Sequence, residues 1–180
     1  TLDKDSARHV SQQFEQQLIS KEYLAVVRGF TPPEGIIDYP LNEIAVFKHL
    51  EKNVEQKEAK ESITHYQTLK QYILPYSDGH FESCRYSLVK LFPKTGRKHQ
   101  IRRHLKHISH PIVGDVKHGR GEHNKLFKIH MDSHRLLLAA QTMTLTHPIT
   151  NERLHIECPL EDNLRQLLER LTPYQTDFTN

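Results

Sequence analysis

Tryptophan is absent from the 180 residues, and cysteine occurs only at Cys84 and Cys158. Two distant cysteines cannot build a disulfide framework and fit no Cys-x-x-Cys spacing, so both read as reduced thiols of a cytoplasmic protein. No apolar run approaches the roughly 20 residues that cross a bilayer as a helix. The opening TLDKDSARHVSQQFEQQ is polar throughout and carries no secretory signal. It also lacks an initiating methionine, and the expectation is a segment of a longer protein. Aromatic platforms for single-stranded RNA are poorly supplied as well. Most tyrosines and phenylalanines fall in expected strands and turns, away from the basic residues. No internal repeat is present.

What remains is a soluble, mildly basic chain with a net charge of +3, 14 histidines and 36% hydrophobic residues. Its length suits one domain. Ala7, Val10, Phe14 and Leu18 recur at helical spacing and predict a helix over 5–19 with that stripe facing inward. EYLAVVRGF (22–30) reads as a strand, followed by a short one at 36–39. Residues 63–74 and 81–92 form an expected antiparallel pair around PYSDGH, an Asp-Gly turn signal. The charged run Lys48–Lys60 reads as an exposed helix or loop. KHGRGEHNK reads as a polar loop, 135–146 and 153–157 as further strands, and 160–171 as a closing amphipathic helix. The expected class is α+β with a largely antiparallel sheet flanked by a few helices. One domain covers 1–171, and 172–180 is a loose tail.

The informative segment is TGRKHQIRRHLKHISHPIVGD, Thr95–Asp115, with nine basic or histidine side chains and no acidic residue before Asp115. On a helical wheel Ile101, Leu105 and Ile108 form a narrow buried stripe. His99, Arg103 and Lys106 face solvent. Lys98 and Arg102 lie along one border of the stripe and His104 along the other. An arginine on that border needs a carboxylate, whose geometry matches its planar fork. Surface helices usually mix both signs because like charges on adjacent turns repel. A polyanion partner accounts for the imbalance, and RNA or DNA is the commonest. A metal site is disfavoured, because no His-Glu-x-x-His pattern occurs and no Cys, Asp or Glu completes a tetrahedral set around His104 and His107. The thin stripe without aromatics also argues against a membrane-surface helix.

GRKHQIRRHL followed by HPIVGD, residues 96–115, resembles a signature of the RluA-type pseudouridine synthases. Four further stretches agree in order: QQF, KEYLAVVRG, THY, and THPITNERLHIECPL. The resemblance runs from about Arg8 to about Leu160, and its wording is nearest to the tRNA-modifying branch. It implies a bent antiparallel sheet cut by an RNA-binding cleft, and uridine-to-pseudouridine isomerisation in tRNA or another structured RNA, with uridine 65 of tRNA the target in that branch. It further implies no metal or organic cofactor, no membrane association and no obligate protein partner. An aspartate acts as nucleophile on the flipped uridine. Tyr23 would stack on the base and help remove the C5 proton, and Arg102 would pair with the catalytic aspartate. Arg97, Lys98, His99, Gln100 and Arg103 are candidates for RNA contact. From the residues alone, Tyr23 could equally be core, and Asp115 could be the partner of Arg102.

The sequence departs from that family in two places. The nucleophile's motif H-R-L-D-x-x-T-S-G is missing, and Asp3 fails as a substitute on both context and spacing. The nucleophile is therefore expected upstream of Thr1, leaving Arg102 without its partner and this chain inactive alone. The second departure is Ala139, which stands where relatives commonly carry histidine. A noncatalytic RNA-binding module is the alternative function. A protein-interaction domain has only the Lys48–Lys60 run in its favour.

Overall fold

The computed structural model describes residues 3–42 and 58–178, so most of the Lys48–Lys60 run lies outside the described residues. Helix α1 (Lys4–Glu15) leads into β1 (Ser20–Arg28), β2 (Glu34–Asp38), β3 (Ile63–Leu74) and β4 (Cys84–Pro93). Helices α2 (Gln100–His107) and α3 (Gly121–His130) follow, then β5 (Leu138–Thr146), β6 (Arg153–Glu157), α4 (Asp162–Leu171) and β7 (Gln175–Thr176). The strands make one sheet in the order β2-β3-β4-β1-β5-β6, with β7 added to β3. Each of these pairings is antiparallel. The expected α+β class and the β3–β4 pair are both present.

Strands β1 and β4 are central, which is why their pattern is not a clean alternation. Leu24, Ala25, Val26 and Val27 are buried consecutively, as are Tyr86 through Val89. Such runs belong to strands covered on both faces. Leu105, Ile112, Leu126, Phe127, Leu164, Leu167 and Leu171 supply that cover from the helices and connections.

Three sequence expectations need correction. In α1 the buried positions are Ser6 and Gln13, while Phe14 is 46% exposed and Leu18 more so. Gln13 turns inward because its amide meets both polar groups of the Thr146 backbone, donating to the carbonyl and accepting from the N–H, each at 2.8 Å. The end of KHGRGEHNK is the start of α3, whose Leu126 and Phe127 pack into the core. The tail is tied down through Thr176. Pro173 sits in a 3-10 turn, Tyr174 meets Tyr76 at 3.0 Å between hydroxyls, and Gln175–Thr176 pairs with β3.

Gly114 explains part of the Pro-Ile-Val-Gly-Asp sequence. It has φ +79°, and a Cβ there would lie 1.8 Å from the Arg135 carbonyl oxygen. Only glycine permits that approach. Just before it, Val113 donates to Val26 and accepts from Leu137, so 111–113 is stitched between β1 and the entry to β5. This fixes Asp115 against α2.

Candidate active site

Tyr23 and Arg102, 79 positions apart in sequence, line one cleft of about 270 Å³. Lys21 and Tyr23 come from β1, Leu138 from the start of β5, Pro93–Arg97 from the connection after β4, and His99–Arg102 from α2. Tyr23 follows a register shift between Glu22 and Tyr23 in the pairing of β1 with β5. Such a bulge re-aims a side chain. The Tyr23 phenol is half-buried, and burial pushes its pKa up. Burial likewise lowers the pKa of Lys21.

Arg102 is not left unpaired. Its Nε donates to one carboxylate oxygen of Asp115 and its Nη2 to the other, both at 2.7 Å. Asp115 is almost fully buried, and one of its oxygens also accepts the backbone N–H groups of Lys117 and His118. Burial alone would raise the carboxyl pKa, but the Arg102 guanidinium and those N–H groups outweigh it and hold the group below the usual carboxylate range. The Arg102 pKa rises in turn, chiefly through the hydrogen bond to Asp115. The fork is thus fixed along one edge. Nη1 has no hydrogen-bond partner among the described residues.

Gln100 was a candidate for RNA contact, and its burial removes it from that role. It is 4% exposed, and its amide is fully used. The oxygen accepts from the Thr95 hydroxyl and the Arg97 N–H, and the nitrogen donates to the Ile63 carbonyl and the Thr64 hydroxyl. No donor or acceptor is left over. The chain of bonds continues inward. Thr64 lies 3.0 Å from His104 Nδ1, and His104 Nε2 donates to the Tyr39 carbonyl. A carbonyl only accepts, so Nε2 carries the proton and Nδ1 receives the Thr64 hydroxyl. His104 is fully buried rather than on a border, and burial depresses its pKa.

The other candidates lie outward. Lys98 is exposed. Arg97 donates from Nε to the Glu61 carbonyl at 3.2 Å, and Arg103 from Nη1 to the Asn42 carbonyl at 2.9 Å. His99 takes the left-handed conformation before α2, with φ 56°, and its Nδ1 meets His118 Nε2 at 3.1 Å. Arg97 and His99 reach the cleft; Lys98 and Arg103 do not line it.

A family model described as RNA pseudouridylate synthase matches residues 1–107. The chain belongs to that family. Among its relatives, the tRNA pseudouridine synthase C of Vibrio parahaemolyticus is 45% identical over 170 residues, covering 94% of this chain and 69% of the relative. The protein of the same name from Haemophilus ducreyi is 42% identical over 177 residues, covering 98% and 72%. The structure of human RNA pseudouridylate synthase domain containing 4 superposes with a TM-score of 0.68 at 27% identity, covering 94% of this chain and 69% of that one. Human RNA pseudouridylate synthase domain containing 1, at 23% identity and a TM-score of 0.65, shares the fold and covers 98% and 75%.

Within this pseudouridylate synthase fold, Asp78, Cys84 and His123 bring potential metal-ligand atoms within 4.8 Å of one another. Both ring nitrogens of His123 are already engaged. Arg28 Nε donates to Nε2 at 2.8 Å, and Nδ1 meets the Tyr86 hydroxyl at 2.8 Å. An arginine therefore occupies the position a cation would take, and the trio does not fit a metal. Asp3 accepts from the Ser6 N–H as the cap of α1 and does not line the cleft. Ala139 packs, partly buried, against the core. Sequence reasoning missed Gln100 and His104 as scaffold and Lys21 and Leu138 as cleft lining. Thr95 directly before Gly96-Arg97 was the available signal for the first pair, since a buried hydroxyl needs a partner.

Proposed function

We propose that the chain forms the base-orienting part of a tRNA pseudouridine synthase that isomerises uridine 65. The observation that carries this reading is the shared cleft of Tyr23 and Arg102, in a family member whose relatives are named for tRNA. A flipped uridine enters the cleft and Tyr23 stacks on its base. The raised phenol pKa favours that role over that of a resting base. Arg102, braced by Asp115, turns its free Nη1 toward a carboxylate nucleophile. That nucleophile labilises the N1–C1′ bond, the base rotates, and C5 bonds to C1′ with loss of the C5 proton. The protein supplies orientation and charge, and no step calls for a metal or organic cofactor. Arg97, Lys98, His99 and Arg103 grip the RNA. The setting is cytoplasmic, without a membrane or an obligate protein partner. The single-domain division at 171 is kept, with an ordered rather than loose C-terminal segment.

The described lining of the cleft holds no carboxylate. We therefore expect the 180-residue chain alone to be inactive, the nucleophile lying in residues upstream of Thr1. Tritium release from C5-tritiated uridine in unmodified tRNA tests both points, comparing this chain with one extended upstream. Release only by the extended protein, with the product at position 65, is the expected result. Release by the short chain would overturn the assignment of the nucleophile. Tight tRNA binding without release by either would favour the noncatalytic RNA-binding module.

A further inference from the structure

Next to the cleft, α2 and the loop after Asp115 enclose a second cavity of about 410 Å³. Arg28 reaches it from the end of β1, Lys106 from α2, and His118 and Arg120 from the loop, with Ser109 beside them. No carboxylate lines it. Lys106 and Arg120 are exposed and make no ion pair or side-chain hydrogen bond among the described residues. Arg28 uses its Nε on His123, so its terminal nitrogens remain available. The nearest acid on the same loop, Asp115, is buried and its charge is already met by Arg102.

The cations are held on a tight framework. Gly119 donates to the Asp115 carbonyl at 2.9 Å, and a Cβ on Gly119 would sit 2.3 Å from that oxygen. His118 is fixed by its N–H bond to Asp115 and by the ring contact to His99 at 3.1 Å. His99 lines the cleft and His118 lines the cavity, so the two spaces share one wall. Like charges converging on one space repel, and a bound anion relieves that repulsion.

We propose that this cavity binds a backbone phosphate of the RNA, the one beside the nucleotide held in the Tyr23–Arg102 cleft. The placement next to the target rests on the pseudouridine synthase reading; the anion site itself does not. Lysine and arginine neutralise phosphates without reading sequence, so the cavity positions the backbone and thereby fixes which nucleotide faces the cleft.

The test is a Lys106→Ala/Arg120→Ala double variant of the native protein. Both side chains are exposed, so thermal unfolding should match the parent. Affinity for unmodified tRNA should fall about tenfold at ~0.15 M salt, and the slope of log K against log salt should decrease by roughly 2. Lys106→Arg/Arg120→Lys should restore both. Independently, inorganic phosphate titrated into the parent should shift the His118 ring resonances, and the double variant should lose that response. Unchanged affinity and slope in the double variant would overturn the proposal, as would His118 resonances that ignore phosphate in the parent. If the parent releases no tritium from any uridine while the double variant still loses RNA affinity, the enzymatic reading fails and the phosphate site stands. If the parent turns over and the double variant binds as tightly, the phosphate site fails alone.

Discussion

The two faces of α2 carry the same residue types and use them in opposite ways. On the inner face Gln100 and His104 are buried with every polar atom bonded, and Arg102 is locked to Asp115 along one edge. On the outer face Lys98 and Lys106 are exposed and have no partner among the described residues. Both faces are polar, so composition does not separate them. What separates them is satisfaction. A buried polar group without its partners costs free energy, whereas an exposed cation waits for an anion at little expense. The inner face therefore holds the cleft in shape, and the outer face is free to bind.

Substitutions that move a residue from one behaviour to the other sharpen this contrast. Arg102→Ala should have the largest effect, because it leaves the Asp115 carboxylate buried and unpaired. A loss of about 3–5 kcal/mol is expected, measured by denaturant unfolding, with turnover abolished in the extended protein. Gln100→Ala comes next, at about 3 kcal/mol, since Thr95, Thr64 and the Arg97 N–H all lose a partner. Its salt slope for tRNA binding should match the parent; a reduced slope would put Gln100 back among the RNA contacts.

His104 gives a test by pH. Burial holds its folded pKa below the unfolded value of about 6.5, so the unfolded state takes up the proton first. The stability it contributes is complete above that value and is lost as pH falls through it. His99, His118 and His123 are shifted in the same direction by burial. Unfolding free energy should decline from about pH 6.5 downward, and His104→Ala should flatten part of the decline while costing about 2 kcal/mol at neutral pH. Lys98→Ala should have the smallest effect, within about 0.5 kcal/mol on stability, while lowering the salt slope by roughly 1.

Much of this was legible in the sequence. The strand pair at 63–92, the buried stripe Ile101–Leu105 and the special position of Arg102 follow from periodicity and charge alone. The partner of Arg102 stood open between an absent aspartate and Asp115, and the wheel could not choose because Asp115 lies beyond the helix. Gln100 and His104 were misplaced for a different reason. A wheel ranks residues by hydrophobicity, and it cannot see that Thr64 and Tyr39 come from elsewhere to satisfy them. Gln13 displaced Phe14 from the interior in the same way, through backbone groups of a strand 133 residues distant. The cleft joins β1 to α2, and no local pattern connects Tyr23 with Arg102.

The central claim is that Arg102 orients the reacting groups through its planar fork rather than through charge alone. Single-turnover tritium release from C5-labelled tRNA, with saturating upstream-extended protein carrying Arg102→Lys, tests it most directly. Lysine keeps the charge and loses the bidentate geometry. The account predicts tRNA affinity near that of the parent with release slowed about a hundredfold or more. Release at the parental rate would contradict it and reduce Arg102 to one more cation on a basic helix.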